Sequence, residues 1–309
     1  MQPIYPFRWD ITKRSQLGRL LDAPVADPYT WIAQELAGSP WNDGPRTGSA
    51  HYAWFMGELV RSGARALAFA GDADLYFVGR SPESLFDYLS GLLFDTSWAG
   101  RPHLLHFSAR GYYLNGIAQS DPAGAQAFRR YLAHLALDPP GLIRRERAVA
   151  FVDVVASGGT LEQLVGFLYQ WCRDLGGDWD AVRRKLRIVG LTPQTKTSPK
   201  TWRWQQHADW VARLQPGAIK NVAIPGGFFY YLAGAQTKLT QSFPPWRWAD
   251  PTITLPQYDA PTLMALGRAV ALFDAGRTRA QRTRFARELS RQPAMAHAWF
   301  RALLLELHR

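Results

Sequence analysis

Ala148-Val149-Ala150-Phe151-Val152-Asp153-Val154-Val155-Ala156-Ser157-Gly158-Gly159-Thr160-Leu161 is the stretch that decides how this chain folds. Its first five residues are small, branched or aromatic and apolar, the composition of a strand buried on both faces. Asp153 to Gly159 reads as a loop. From Thr160 to Arg173 apolar residues return at three- and four-residue steps, the period of an amphipathic helix. Consecutive backbone N–H groups at the start of that helix, freed by Gly158 and Gly159 and flanked by the Ser157 and Thr160 hydroxyls, form a cradle for a phosphate. Asp153, at the strand end, can accept hydrogen bonds from sugar hydroxyls or help to hold a magnesium ion.

The same strand, loop and helix order recurs on either side. Leu75 to Val78 is a short apolar run that ends in Gly79-Arg80-Ser81-Pro82, with Ser81 expected as the N-cap and Pro82 as the first helical residue before Leu85, Leu89 and Leu92. Leu104 to Phe107 reads as a strand and Pro122 to Leu137 as a helix capped by Asp121. Leu186 to Leu191 and Asn221 to Ile224 supply two further strands. Short apolar strands alternating with helices predict an α/β fold, a Rossmann-like, mostly parallel sheet with ligands at the strand carboxyl ends. A helical N-terminal cap over residues 1–64, with helices over Tyr29 to Ala37 and His51 to Arg61, precedes this core of residues 65–250. A helical C-terminal extension over residues 251–309 follows it, with helices expected over Thr262 to Phe273, Thr278 to Ser290 and Ala294 to Leu307.

The composition limits the chemistry. The chain has 309 residues, 47% apolar and 20% charged, which excludes global disorder. Its one cysteine, Cys172, permits neither an internal disulfide nor a cysteine zinc site, so a cytoplasmic location is expected. Cys172 itself is expected to be a small core residue. The seven histidines have no metal-ligand spacing. The N-terminus does not read as a secretory signal, and the most apolar stretch, Asn221 to Ala235, is too short for a bilayer, so no membrane partner is expected. The net charge of +11 makes anionic partners plausible, and more than half of it lies after Pro261, where nine arginines face three acids. Those arginines, with the Trp202 to Trp210 segment, invite a nucleic-acid reading, although a solvated helix face and a Trp202 and Trp210 packing role explain them equally well. Asp72 and Asp74 are expected to make a turn. The 13 tryptophans have no explanation in the sequence.

The Phe151 to Leu161 stretch resembles the phosphoribosyl diphosphate loop of the type I phosphoribosyltransferases, in which an apolar strand runs into two acidic residues, a short spacer and a Thr-Gly-x-Thr cradle. The resemblance implies that Ala156, Ser157, Gly158, Gly159 and Thr160 hold a 5′-phosphate and that Asp153 holds the ribose hydroxyls and, indirectly, Mg2+. Phe77-Val78-Gly79-Arg80-Ser81 resembles that family's diphosphate loop, which implies that Gly79, Arg80 and Ser81 bind diphosphate. Phe228, Phe229 and Tyr230, after the last expected strand, would form a hood over the base, and Ser108 to Tyr113 a closing loop. The implied function is transfer of a phosphoribosyl group from phosphoribosyl diphosphate to a nitrogen nucleophile. The alternative is a non-catalytic sensor of a nucleotide or phosphosugar, and a homodimer is compatible with either. Two positions depart from the family pattern: Val152 replaces the first acid, and Ala156 occupies a spacer position that is Asp in the hypoxanthine-type enzymes. Losing the first carboxylate weakens ribose and magnesium recognition.

Overall fold

Five apolar runs form one sheet. In the computed structural model, which describes residues 7–12, 17, 32, 35, 48–108, 122–196, 203–241 and 252–309, these are β1 (Asp74–Val78), β2 (Pro102–Leu105), β3 (Val149–Val154), β4 (Leu186–Pro193) and β5 (Ile219–Ile224). Their order is β2-β1-β3-β4-β5, and every neighbouring pair is parallel. The Rossmann-like α/β architecture expected from the alternating pattern is present. Pro102 opens β2 at the sheet edge, where its missing N–H removes no ladder bond from an interior strand.

The helices are α1 (Gly48–Ala70), α2 (Glu83–Leu92), α3 (Pro122–His134), α4 (Pro139–Arg144), α5 (Gly159–Asp174), α6 (Trp179–Arg183), α7 (Gly226–Tyr230), α8 (Ala260–Arg277), α9 (Arg279–Ser290) and α10 (Ala298–Leu307). Alternation along each strand separates two apolar cores. On one face Leu75, Phe77, Ala150, Val152, Val189, Leu191, Val222 and Ile224 pack with α1, α2 and the C-terminal helices. On the other, Tyr76, Val78, Val149, Phe151 and Ile188 pack with α3, α4, α5 and α6. Side chains at i and i+2 share a face, so β3 contributes Ala150 and Val152 to one core and Val149 and Phe151 to the other.

Several local expectations are corrected. His51 to Arg61 belongs to a longer helix, α1, which carries Phe55, Leu59 and Leu67 into the sheet core and so forms one of its layers, not a separate cap. Leu67 to Ala70 is the end of that helix. Ser81 is not an N-cap: α2 begins at Glu83 after a turn at Pro82, with no side-chain cap bond. Asp74 is the first residue of β1 and pairs with Arg145 at 2.5 Å. Ala294 to Ala296 lies in a 3-10 turn, and the last helix starts at Ala298. Of the helix expected over Tyr29 to Ala37 only Ile32 and Glu35 are described, both helical, and the Asp121 cap and Trp202 lie outside the described residues.

The C-terminal helices are integral to the core. Leu272, Phe285, Leu289, Phe300, Leu303 and Leu307 share one apolar cluster with Phe55 of α1 and Phe77 of β1. α2 and α8 meet backbone to backbone, since a Cβ added to Gly91 would lie 1.9 Å from the Phe273 carbonyl oxygen, and one on Gly276 would lie 2.5 Å from that of Tyr88. Trp98 stacks on Trp299 with centroids 5.5 Å apart, tying α10 to the segment before β2.

A buried ionic network fastens α8 further. Arg268 is 1% exposed and reaches Glu35 at 3.3 Å, Glu83 at 3.5 Å, the Tyr231 hydroxyl at 3.3 Å and the Thr237 carbonyl. Glu83 also accepts from the Leu239 and Thr240 N–H groups at 2.9 and 3.0 Å. Burial works against its charge, but Lys238, Arg8 and Arg268 together hold it below the usual carboxylate range. Other arginines of this region also have partners: Arg282 with Asp95 at 2.9 Å, and Arg301 with the Met295 and Ala296 carbonyls. The basic composition of these helices is thus partly structural. No helix among the described residues is long and apolar enough to cross a membrane.

Candidate functional site at the strand carboxyl ends

The strand order reverses between β1 and β3. The connection leaving β1 passes to α2 on one face and the connection leaving β3 passes to α5 on the other, so a crevice opens outside their carboxyl ends. In open parallel sheets that point is where ligands bind. Both loops singled out in the sequence, Gly79-Arg80-Ser81 and Asp153 to Thr160, border it.

The first loop is set by its glycine. Gly79 has φ +69°, and a Cβ there would lie 3.1 Å from the Phe107 carbonyl oxygen. Its N–H donates to the Leu105 carbonyl at 2.8 Å, which extends the β1–β2 ladder by one bond before the chain turns. Arg80 is exposed at that turn. Lys238 lies close enough for the Arg80 charge to act on it: burial first, then Arg268 and Arg80, push its ammonium down to about 7. That ammonium donates to the Leu232 carbonyl at 2.5 Å. Lys238 carries no local motif, and only the fold brings it here.

In the second loop the Val155 N–H donates to the Leu191 carbonyl at 2.9 Å, after which Ala156, Ser157 and Gly158 leave the sheet. Ala156 and Ser157 have no ladder partner as they turn outward. Gly158 is the N-cap of α5 at φ +86°, a left-handed conformation that favours glycine. Gly159 and Thr160 are the first residues of α5. Its first turn has N–H groups without intrahelical acceptors, as every helix start does, and the positive end of its dipole faces the crevice.

Asp153 is 7% exposed. Its Oδ1 accepts from the Val154 N–H at 2.7 Å. Burial pushes its carboxyl up to about 8, and that single hydrogen bond opposes the rise only in part. Val152, its neighbour on β3, is fully buried on the opposite face, in the core shared with α1 and α2. A carboxylate there would be an unpaired charge among apolar side chains.

Asp153 pairs in register with Gly190 of β4, and Gly190 with Asn221 of β5. Over this row sits Trp204, in a 3-10 turn spanning Trp204–His207. Its Nε1 donates to Asn221 Oδ1 at 2.9 Å, and Asn221 Nδ2 donates to Gln205 Oε1 at 2.8 Å. A Cβ on Gly158 would fall 2.6 Å from Cε3 and Cζ3 of this indole. Trp210 stacks on Trp204 at 5.9 Å between centroids, in a second 3-10 turn, Asp209–Arg213. Thr192 lies two residues beyond Gly190 on the same face of β4, buried, and its Oγ1 has no hydrogen-bond partner among the described residues.

The other sequence candidates fall elsewhere. Phe228 is fully buried, 5.7 Å from the ring of Phe55 and 6.2 Å from that of Trp54, and serves as core. Phe229 packs against the same core, and Tyr230 is half-buried. Cys172 is fully buried, and burial pushes its thiol up. Ala109 to Tyr113 of the expected closing loop lie outside the described residues. Among the described residues no group of three or more His, Cys, Asp or Glu side chains is placed to hold a metal ion. Comparison with family models, curated proteins and solved structures gave no match to this chain.

Proposed function

We propose that the crevice between β1 and β3 binds phosphoribosyl diphosphate, or a nucleotide through its 5′-phosphate, and that the chain transfers the phosphoribosyl group to a nitrogen nucleophile with release of diphosphate. The observation that supports this reading is that the two loops picked out by the resemblance, Asp153 to Thr160 and Gly79 to Ser81, follow the two strands that flank the topological switch point of the sheet. On this reading the fold is that of a type I phosphoribosyltransferase. Ala156 to Thr160 hold the 5′-phosphate through backbone N–H groups at the α5 start, and Asp153 holds the ribose hydroxyls. Gly79 to Ser81 approach the diphosphate, with Lys238 as an added cation. In the reaction a nitrogen–C1 bond forms as the bond from C1 to the diphosphate oxygen breaks. Magnesium, when bound, neutralises the diphosphate. The single carboxylate of Asp153 fits an ion that arrives with the diphosphate better than one held permanently by protein ligands.

A non-catalytic sensor of the same ligands is the second reading, favoured by the burial of Val152, which leaves one carboxylate where the family has two. Calorimetric titration with phosphoribosyl diphosphate and Mg2+ tests both, since failure to bind at millimolar ligand removes them together. If binding is seen, diphosphate release across a panel of nitrogenous bases separates them: turnover with any base supports the transferase, and none supports the sensor.

A further inference from the structure

The amino ends of the strands, opposite the crevice, gather positive charge from two separate parts of the chain. Arg144-Arg145-Glu146-Arg147 leads up to β3 and Arg183-Arg184-Lys185-Leu186-Arg187 leads into β4, so seven of these nine residues are cations. The two runs become neighbours because β3 and β4 pair in parallel with Val149 opposite Leu186, at the strand spacing of about 4.8 Å. The Val149 N–H donates to the Lys185 carbonyl at 2.7 Å. The Lys185 ammonium in turn donates to the Arg145 and Glu146 carbonyls at 2.6 and 3.4 Å. Each run is thus fastened to the other through its main chain.

The fold uses part of this charge. α4 ends at Arg144 and α6 at Arg183, and the carboxyl ends of helices favour cations. Arg145 pairs with Asp74 at 2.5 Å and Arg183 with Asp180 at 2.6 Å, while Arg187 donates to the Ala70 carbonyl. Asp72, the other carboxylate close to the start of β1, is held by Arg101. Arg144, Arg147 and Arg184 are left over. All three are exposed and make no hydrogen bond or ion pair among the described residues. Three unpaired guanidinium groups on two adjoining segments repel one another, and no contact of the fold offsets that.

We propose that this amino-end face binds the phosphate backbone of a nucleic-acid duplex without reading its sequence. A guanidinium presents its N–H groups in a fork that matches two phosphate oxygens. Cations on two adjoining segments can meet several phosphates of one backbone and release a counterion for each, a gain that a single small anion does not offer. The exposed aromatic rings among the described residues, Phe94 and Tyr258, follow α2 and precede α8, away from this face. Contact with backbone, without stacked bases, favours a duplex over a single strand. Ile143 and Leu175 are exposed at this end, but two isolated side chains on different segments do not make the apolar helix face that inserts into a bilayer. The proposal is independent of the phosphoribosyl reading, because both phosphate loops lie at the opposite ends of the strands.

The test is fluorescence anisotropy of the full chain with a labelled DNA duplex of about 20 base pairs, titrated between about 50 and 200 mM salt. Binding is expected with a Kd of about 1–100 μM at physiological salt, tightening steeply as salt falls. The triple variant Arg144→Ser/Arg147→Ser/Arg184→Ser should weaken binding about tenfold or more at low salt and lower the slope of log affinity against log salt by about 2–3. Arg184→Ser alone should lower that slope by about 1. Arg279→Ser/Arg284→Ser/Arg287→Ser removes the same charge from exposed positions of α9 and should leave affinity within about threefold of wild type, as expected of residues outside the contact. No duplex binding at low salt, an unchanged slope in both amino-end variants, or an equal loss in the α9 variant would each overturn the proposal. Tighter binding to phosphatidylserine vesicles than to the duplex, lost in the same triple variant, would overturn it in favour of a membrane.

Discussion

The indole of Trp204 is packed against Gly158, so closely that a single methyl group on the glycine would sit 2.6 Å from two of its ring carbons. The cap of α5 is therefore held from outside by an aromatic side chain 46 positions later in the sequence, which is itself hydrogen-bonded to Asn221 on β5. Gly158→Ala meets two penalties, a left-handed φ of +86° and this clash. The expected loss is about 2–4 kcal/mol in urea unfolding, with phosphoribosyl diphosphate binding lost at the same time. An alanine variant with wild-type stability would show that the indole does not rest there.

Trp204→Phe keeps an aromatic ring over the loop but removes the donor to Asn221 Oδ1. Loss of this part-buried hydrogen bond predicts a loss of about 0.5–1.5 kcal/mol. Adding Asn221→Leu should restore part of it, because both polar partners are then gone. A double-mutant cycle with no coupling between the two positions would contradict the bond.

Asp153 makes the site sensitive to pH. Its carboxyl is raised by burial to about 8, whereas in an unfolded chain it titrates at its ordinary value of 3.8. Between those values the folded protein holds a proton that the unfolded chain has released, so this group lowers stability progressively as pH rises from about 4 to 8. Below that window the effect is absent. Asp153→Asn should flatten the fall, measured as Tm across pH 4 to 8 against wild type. Asp87, raised to about 6 by burial, contributes a similar slope that the variant leaves in place. A ligand that needs the ionised carboxylate must displace the proton. Binding of phosphoribosyl diphosphate with Mg2+ at pH 7 should therefore release protons, seen as a dependence of calorimetric heat on buffer ionisation enthalpy, and Asp153→Asn should remove that dependence.

The contact of Gly91 with Phe273 predicts that Gly91→Ala separates α2 from α8. The added Cβ would meet the Phe273 carbonyl at 1.9 Å, with backbone on both sides and no side chain able to move aside. A loss of about 3 kcal/mol or more is expected in chemical denaturation. Gly100, whose Cβ would meet nothing within 4 Å, is the matched control and should change stability by less than about 0.5 kcal/mol.

The strands and their alternation were legible in the sequence because a doubly covered parallel strand is a nearly continuous apolar run, as in Ala148 to Val152. The loop before α5 was legible because paired glycines between a strand and a helix mark a turn open to left-handed backbone, although not which glycine would take the cap. What was hidden is long-range. Nothing local marks Trp204 as the neighbour of Gly158, or Lys238 as the neighbour of Arg80. Ser81 read as a cap because Ser-Pro-Glu fits one, yet tertiary contacts draw the Glu83 carboxylate to the Leu239 and Thr240 N–H groups. The arginine-rich C-terminus read as a separate basic surface because composition does not reveal that Arg268 is buried between two glutamates. Part of the tryptophan excess also has a structural role, in the Trp98–Trp299 and Trp204–Trp210 stacks.

The measurement that tests the proposed site most directly is backbone amide NMR during titration with phosphoribosyl diphosphate and Mg2+. The amides of Gly79 to Ser81 and of Ser157 to Thr160 should move together along one saturation curve, with the Trp204 indole N–H following them. Shifts confined to other regions, or none at millimolar ligand, would contradict binding at the β1–β3 crevice.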